Sequence, residues 1–133
     1  MAPDPRLKNW LVRDFFATFD RDTASFRQIL HPRVEWFPIE ENRSPSRGID
    51  EAMRYRAQWL ETWDDHRFIV EEVIEGDRDV VALVHISARG KASGAAVDVR
   101  FYAQFRIEDD KIIRIYDHDD RESALAAAEL LSE

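Results

Sequence analysis

The sequence predicts an α+β fold, helices first and a run of antiparallel strands after, and three features carry that prediction. Apolar residues recur every three or four positions from Leu7 to Phe19 and again from Ile49 to Trp63, which is helical spacing. From Val97 to Ile107 the odd positions Val97, Val99, Phe101, Ala103, Phe105 and Ile107 are apolar, while Asp98, Arg100, Tyr102, Gln104 and Arg106 lie between them. Strict alternation over that length marks a strand with one face buried and the other against water or a partner. Between Phe68 and His118, turn residues separate four such runs.

Asp4-Pro5 sets a capping side chain before a proline, so the first helix opens there. It is expected to bury Leu7, Trp10, Leu11, Phe15 and Phe19, with Val12 and Phe16 widening the stripe. Asp22 or Thr23 caps a short second helix carrying Phe26, Ile29 and Leu30, which stops at His31-Pro32. Arg33–Phe37 reads as a short strand with Val34 and Trp36 on one face, Glu35 and Phe37 on the other, and Glu40–Arg47 as a polar loop. The third helix, Ile49 to Trp63, has one stripe of Ile49, Met53, Ala57 and Leu60, and beside it Ala52, Tyr55, Trp59 and Trp63. Phe68–Ile74 and Val80–Arg89 are strands about the turn Gly76-Asp77-Arg78. In the second of these the even residues are uniformly apolar and face inward, which puts His85 on the outer face. Gly90 and Gly94 bracket a hairpin loop, Glu108–Lys111 is a polar turn, and Ile112–His118 is the last strand. Asp119-Asp120 then cap a terminal helix, Glu122–Leu131.

At 133 residues the chain is expected to form one domain, 1–133, large enough to bury a core without staples. It has no cysteine, so disulfides and thiol chemistry are excluded. No stretch resembles a signal peptide or approaches the roughly 20 apolar residues needed to span a bilayer, so the expectation is a soluble, cytoplasmic protein. A net charge of −8 works against binding nucleic acid or an anionic membrane. Four Trp and eight Phe point to a large aromatic core or a ligand pocket. The four histidines are scattered without metal-ligand spacing, and the chain has no Gly-rich phosphate loop and no G-x-S-x-G elbow. No metal or cofactor is therefore expected.

The inward series of the last strand, if its parity continues that of its neighbour, is Ile113, Ile115, Asp117. An aspartate ending an apolar line is partly desolvated, which raises its pKa and suits a general acid or base. The competing reading ends the strand near Tyr116 and makes Asp117-His118-Asp119-Asp120 a solvated capping run. Glu72 interrupts Phe68, Val70 and Ile74 in the same way, unless a bulge or an edge position accounts for it. Phe15, Trp36, Tyr55, Trp59 and Phe101, with Glu72, form the candidate ligand-contacting set, core packing being the alternative for each aromatic. The outward residues His85, Arg89, Arg100, Tyr102 and Gln104 make a polar sheet face rich in Arg and aromatics, the composition of an interface, and predict a homodimer.

The stretches SRGIDEAMRYRAQWLETWDD, EEVIEGDRDVVALVHISARGKASG and FYAQFRIEDDKIIRIYDHDDRESALAAAELL resemble the nuclear transport factor 2-like superfamily, in its SnoaL-like (polyketide-cyclase-like) branch. The resemblance implies a cone: a curved mixed or antiparallel sheet wrapped over N-terminal helices, with a short C-terminal helix, a pocket at the wide end, and homodimers through the outer sheet face. That fold hosts isomerases, cyclases, epoxide hydrolases, dehydratases and members without chemistry. The ketosteroid isomerase positions fall near Phe37-Pro38, Phe15 and Ala103, none able to carry a proton, so that activity is not expected unless Glu35 or Glu40 is recruited. The Arg and two Asp of limonene-epoxide-hydrolase-like members do not converge either, since Arg100 and Asp98 face outward and only Asp117 inward. Two functions remain. One is a homodimeric binder of apolar small molecules. The other is a cofactor-independent isomerase, cyclase or hydrolase/dehydratase that moves a proton on an apolar substrate through Asp117.

Overall fold

The computed structural model describes residues 5–38 and 44–128. Asp4, Glu40 and the expected end of the last helix at Leu131 fall outside that range, as does the side chain of Leu7. The order is α1 (Pro5–Thr18), α2 (Thr23–Gln28), β1 (Leu30–Phe37), β2 (Ser46–Arg47), α3 (Ile49–Thr62), β3 (Trp63–Glu75), β4 (Asp79–Gly90), β5 (Ala96–Glu108), β6 (Lys111–His118) and α4 (Arg121–Ala127). Six strands form one curved sheet in the order β2-β1-β6-β5-β4-β3, antiparallel except that β1 runs parallel to β6. This is the α+β cone, with α1, α2 and α3 against its inner face.

The core is aromatic and centred on Phe15. Its ring lies 4.9 Å from Phe16 and Phe26, 5.3 Å from Phe105 and 5.4 Å from Trp36. The apolar parity of β4 and β5 is as the alternation requires: Val80, Ala82, Val84, Phe101, Ala103 and Phe105 are all buried. Val99 keeps that parity but is 49% exposed, because β4 and β5 run on past the helices that cover their other ends. Trp10 is also exposed, and the buried face of α3 is Ala52, Tyr55 and Arg56, with Ala57 in solvent.

Buried polar groups fix how the helices sit. Arg56 donates from Nε to the Phe19 carbonyl at 2.6 Å and from Nη1 to Thr23 Oγ1 at 3.1 Å, satisfying the chain where α1 ends and α2 begins. Gly48, before α3, has φ +85°, which side chains rarely adopt, and its N–H bonds the Val34 carbonyl at 2.7 Å. That contact ties the start of α3 to β1 and aims Tyr55 and Trp59 at the sheet.

Several boundaries differ from the sequence reading. β1 begins at Leu30, whose side chain is buried in the core, rather than at Arg33. β3 begins at Trp63, not Phe68; its polar opening, Asp64 to Arg67, hides the strand, and Asp65 at φ 51° accommodates a register shift there. The β5–β6 hairpin turns at Asp109-Asp110, both with positive φ, a two-residue connection that asparagine and aspartate tolerate well. In β6 the extra residue is Ile113, so Ile112 is buried in its place and the expected series Ile113, Ile115, Asp117 holds only from Ile115 onward. On the outer face, α4 covers Val81 with Ala124 and Ala128, against Tyr102 and Leu125. No helix among the described residues is long and apolar enough to cross a membrane.

Candidate functional site

Between the helices and the inner sheet face lies a cavity of about 50 Å³. Its floor comes from the sheet: Trp36 of β1, Phe101 of β5, and Ile115 and Asp117 of β6. Its roof is Phe15, Phe16 and Phe19 of α1 with Tyr55 of α3. Trp59, Phe68 and Ile86 complete it and are only partly buried, so they form the wall nearest solvent.

Asp117 is the one carboxylate among the residues lining this cavity. It belongs to β6, which continues to His118, and it pairs across the ladder with Ala103. Helix capping is carried out by Asp120 instead, whose oxygens accept from the Ser123 backbone N–H at 2.7 Å and hydroxyl at 2.9 Å. Those bonds, from the backbone N–H first, hold the Asp120 carboxyl below the usual carboxylate range.

Trp36 is locked in place. Its ring meets Tyr55 edge-on at 4.8 Å and Phe15 at 5.4 Å, and its backbone pairs with Ile115 on one side and Ser46 on the other. The side chain is 4% exposed, yet its indole Nε1–H meets no hydrogen-bond acceptor among the described residues.

The structure thus brings Phe15, Trp36, Tyr55, Trp59, Phe101 and Asp117 to one cavity. Glu72 is not there. A bulge at Glu71 shifts the register after Val70, so Glu72 stands opposite the outward Leu83 and takes a 2.9 Å hydrogen bond from Arg121. The remaining lining residues were legible in part: Phe16 lies on the helical stripe of α1, and the pairing of Phe68 with Ile86 follows once strand register is known. A His–Asp pair escaped the sequence reading altogether. His66 Nδ1 is 3.0 Å from Asp20 Oδ2, and its ring packs against Trp59 at 5.5 Å and Phe68 at 6.1 Å, fastening β3 to the end of α1 behind the cavity wall.

The other histidines face elsewhere. His31 is buried, accepting the Arg33 N–H on Nδ1 at 3.0 Å, with Nε2 3.4 Å from Asp109. His85 lies on the outer face, 2.6 Å from Asp98. On that face Gln104 donates to the buried Asp79 at 2.8 Å, so its oxygen accepts from His118 Nε2–H at 2.9 Å. Burial pushes the His118 pKa below its ordinary value, against the opposing pull of Asp120 and Asp119. Glu35 is also outward, accepting from Arg114 and Arg47; these bonds, Arg114 foremost, lower its pKa. It cannot serve the cavity. Among the described residues no group of three or more His, Asp or Glu side chains gathers to hold a metal.

Residues 12–115 match the SnoaL-like domain family. The chain belongs to the SnoaL-like family. Solved relatives of this SnoaL-like protein share its architecture at low identity. A candidate SnoaL-like polyketide cyclase from Jannaschia sp. CCS1 superposes with a TM-score of 0.78 at 18% identity, covering 100% of this chain and 99% of that one. TsrD from Streptomyces laurentii gives 0.76 at 22% identity, over 97% and 99% of the two chains. TerC, co-crystallised with polyporic acid, gives 0.73 at 22% identity over 93% and 97%. At these identities the likeness is one of fold. No protein of curated function matches the chain.

Proposed function

We propose that this SnoaL-like protein binds a compact, largely apolar small molecule in the aromatic cavity. The observation that carries the reading is a cavity walled by rings and closed on one side by one carboxylate, Asp117. TerC, of the same fold, was co-crystallised with a small organic molecule. A cavity near 150 Å³ takes benzene in a dry core, and this one is about 50 Å³. A ring-sized ligand therefore enters by displacing the half-buried wall of Trp59, Phe68 and Ile86. Cyclohexanone is a suitable probe. The methyl NMR signals of Ile86 and Ile115 should move on titration while that of the exposed, outward Ile69 stays; no movement up to solubility would refute the site.

The carboxylate favours a second reading, a cofactor-independent enzyme that moves a proton on an apolar substrate. Asp117 would take a proton from the carbon beside a carbonyl, leaving the enolate, and return one to it. In D₂O the protein should then speed deuterium incorporation at C2 of cyclohexanone, and Asp117→Asn should remove that rate. Exchange at the buffer rate with binding intact would leave a binding protein only.

We also propose a homodimer in the cytoplasm through the outer sheet face. Tyr116 and Ile69 are exposed there at 43% and 42%, beside His85, Arg89 and Arg100. Tyr102 lies against α4 and Gln104 is held by Asp79, so these two expected contacts contribute from beneath. Sedimentation at tens of micromolar should give twice the chain mass, and a monomer alone would refute the dimer.

A further inference from the structure

Trp36 lines the cavity, and its buried indole N–H meets no acceptor among the described residues. Trp36 is packed against the rings of Phe15, Phe19, Phe26 and Tyr55 and its strand is paired on both edges, so its indole N–H is held in place. Native cores rarely leave a buried donor unpaired, because its desolvation is then uncompensated. If packing were the only role here, a phenylalanine would fill a neighbourhood of rings without that cost. Asp117 lines the same cavity, yet no hydrogen bond joins its carboxylate to this N–H. The nitrogen is closed to water where it stands, so an acceptor reaches it only when a ligand displaces the half-buried wall of Trp59, Phe68 and Ile86, and a ligand oxygen then supplies the missing bond.

We propose that Trp36 Nε1–H is the specificity-determining donor of the cavity, selecting apolar ring molecules that carry a carbonyl or similar acceptor oxygen over those that do not. The proposal rests on the ligand-binding reading above. It assigns the parts of the site different tasks: the rings supply affinity without direction, and the unpaired Trp36 donor orients the ligand by its oxygen.

The test compares cyclohexanone with methylenecyclohexane, which has the same shape and lacks the oxygen. The chain has four tryptophans, so its ¹H–¹⁵N spectrum should hold four indole signals. Trp36→Phe removes and so assigns one. Should that variant not fold, Trp10→Phe, Trp59→Phe and Trp63→Phe assign the Trp36 signal by elimination in folded protein. Cyclohexanone should move the Trp36 indole proton downfield, and methylenecyclohexane should not. The ketone-to-alkene affinity ratio should be roughly three- to tenfold higher in the wild type than in Trp36→Phe, the worth of one neutral hydrogen bond. Taking the ratio in both proteins cancels the different water solubilities of the probes. If both probes shift Ile86 and Ile115 while the indole signal and the ratio stay unchanged, the donor assignment is overturned and the cavity reading survives. If neither probe shifts Ile86 or Ile115, both are overturned.

Discussion

Replacing Phe105 with alanine tests the packing on which the cone depends. Phe105 is fully buried in β5, between Val80 and Ile115 of the neighbouring strands. Its ring meets Phe15 at 5.3 Å and Phe16 at 6.0 Å, both edge-on. Removing a large core aromatic costs about 3–5 kcal/mol, since neither the lost burial nor the vacated space is recovered. Domains of this kind have about 5–15 kcal/mol in total. With a urea slope of about 1–3 kcal/mol/M, the unfolding midpoint should fall by about 2 M. Val99→Ala is the matched control: same strand and same parity, but half in solvent, so its cost should stay below about 1 kcal/mol. A loss under about 1 kcal/mol for Phe105→Ala would refute the inward assignment of β5. So would a Val99→Ala loss as large as that of Phe105→Ala.

Three further outcomes follow from the same geometry. Burial lowers the His118 pKa from 6.5, so its contribution is fully present above that pH and is lost as pH falls through the folded-state value. Melting temperature should therefore drop between pH 7.5 and 5.5, and His118→Gln should flatten the drop; parallel profiles would remove His118 as the cause. Arg56→Met leaves the buried Phe19 carbonyl without its donor and should cost about 1–3 kcal/mol in urea unfolding, against no change if water takes over the bond. Turnover of a 3-oxo-Δ5 steroid should be undetectable, because a four-ring steroid far exceeds a cavity of about 50 Å³, and neither Phe15 nor Ala103 can donate a proton. Ordinary enzymatic rates would contradict that assignment.

Hydrophobic period made most of the fold legible. The alternation of β4 and β5 set which residues face the helices, and helical spacing marked α1 and α3. What the period cannot show is where it breaks. Asp64-Asp65-His66-Arg67 has the composition of a loop and is strand, because a long antiparallel pairing with β4 carries it and Asp65 takes up the irregularity. Pro32 lies within β1, where β1 and β6 change register between Leu30 and Glu35. Trp10 and Val99 fit apolar stripes and are exposed, since a stripe predicts a facing surface but not how far that surface extends. The aromatic members of the candidate site were legible because they lay on inward parities. The unpaired indole N–H of Trp36 was not, because satisfaction of a donor depends on atoms distant in sequence.

Two carboxylates interrupt apolar stripes, and single-residue bulges decide which one meets the cavity. In β3 the extra residue is Glu71, immediately before Glu72. Without it Glu72 would keep the parity of Phe68 and Val70 and point inward; with it, Val73 takes the inward place opposite Ala82 and Glu72 turns out to Arg121. In β6 the extra residue is Ile113, and it comes before Asp117. Ile112 is inward, so an unbroken strand would present Arg114, Tyr116 and His118 to the core and send Ile115 and Asp117 to the outer face. The bulge reverses this. It also delivers Arg114 to Glu35 and His118 to Gln104 on the far side, where both find partners. One inserted residue per strand thus excludes Glu72 and admits Asp117, leaving a single carboxylate among aromatic walls.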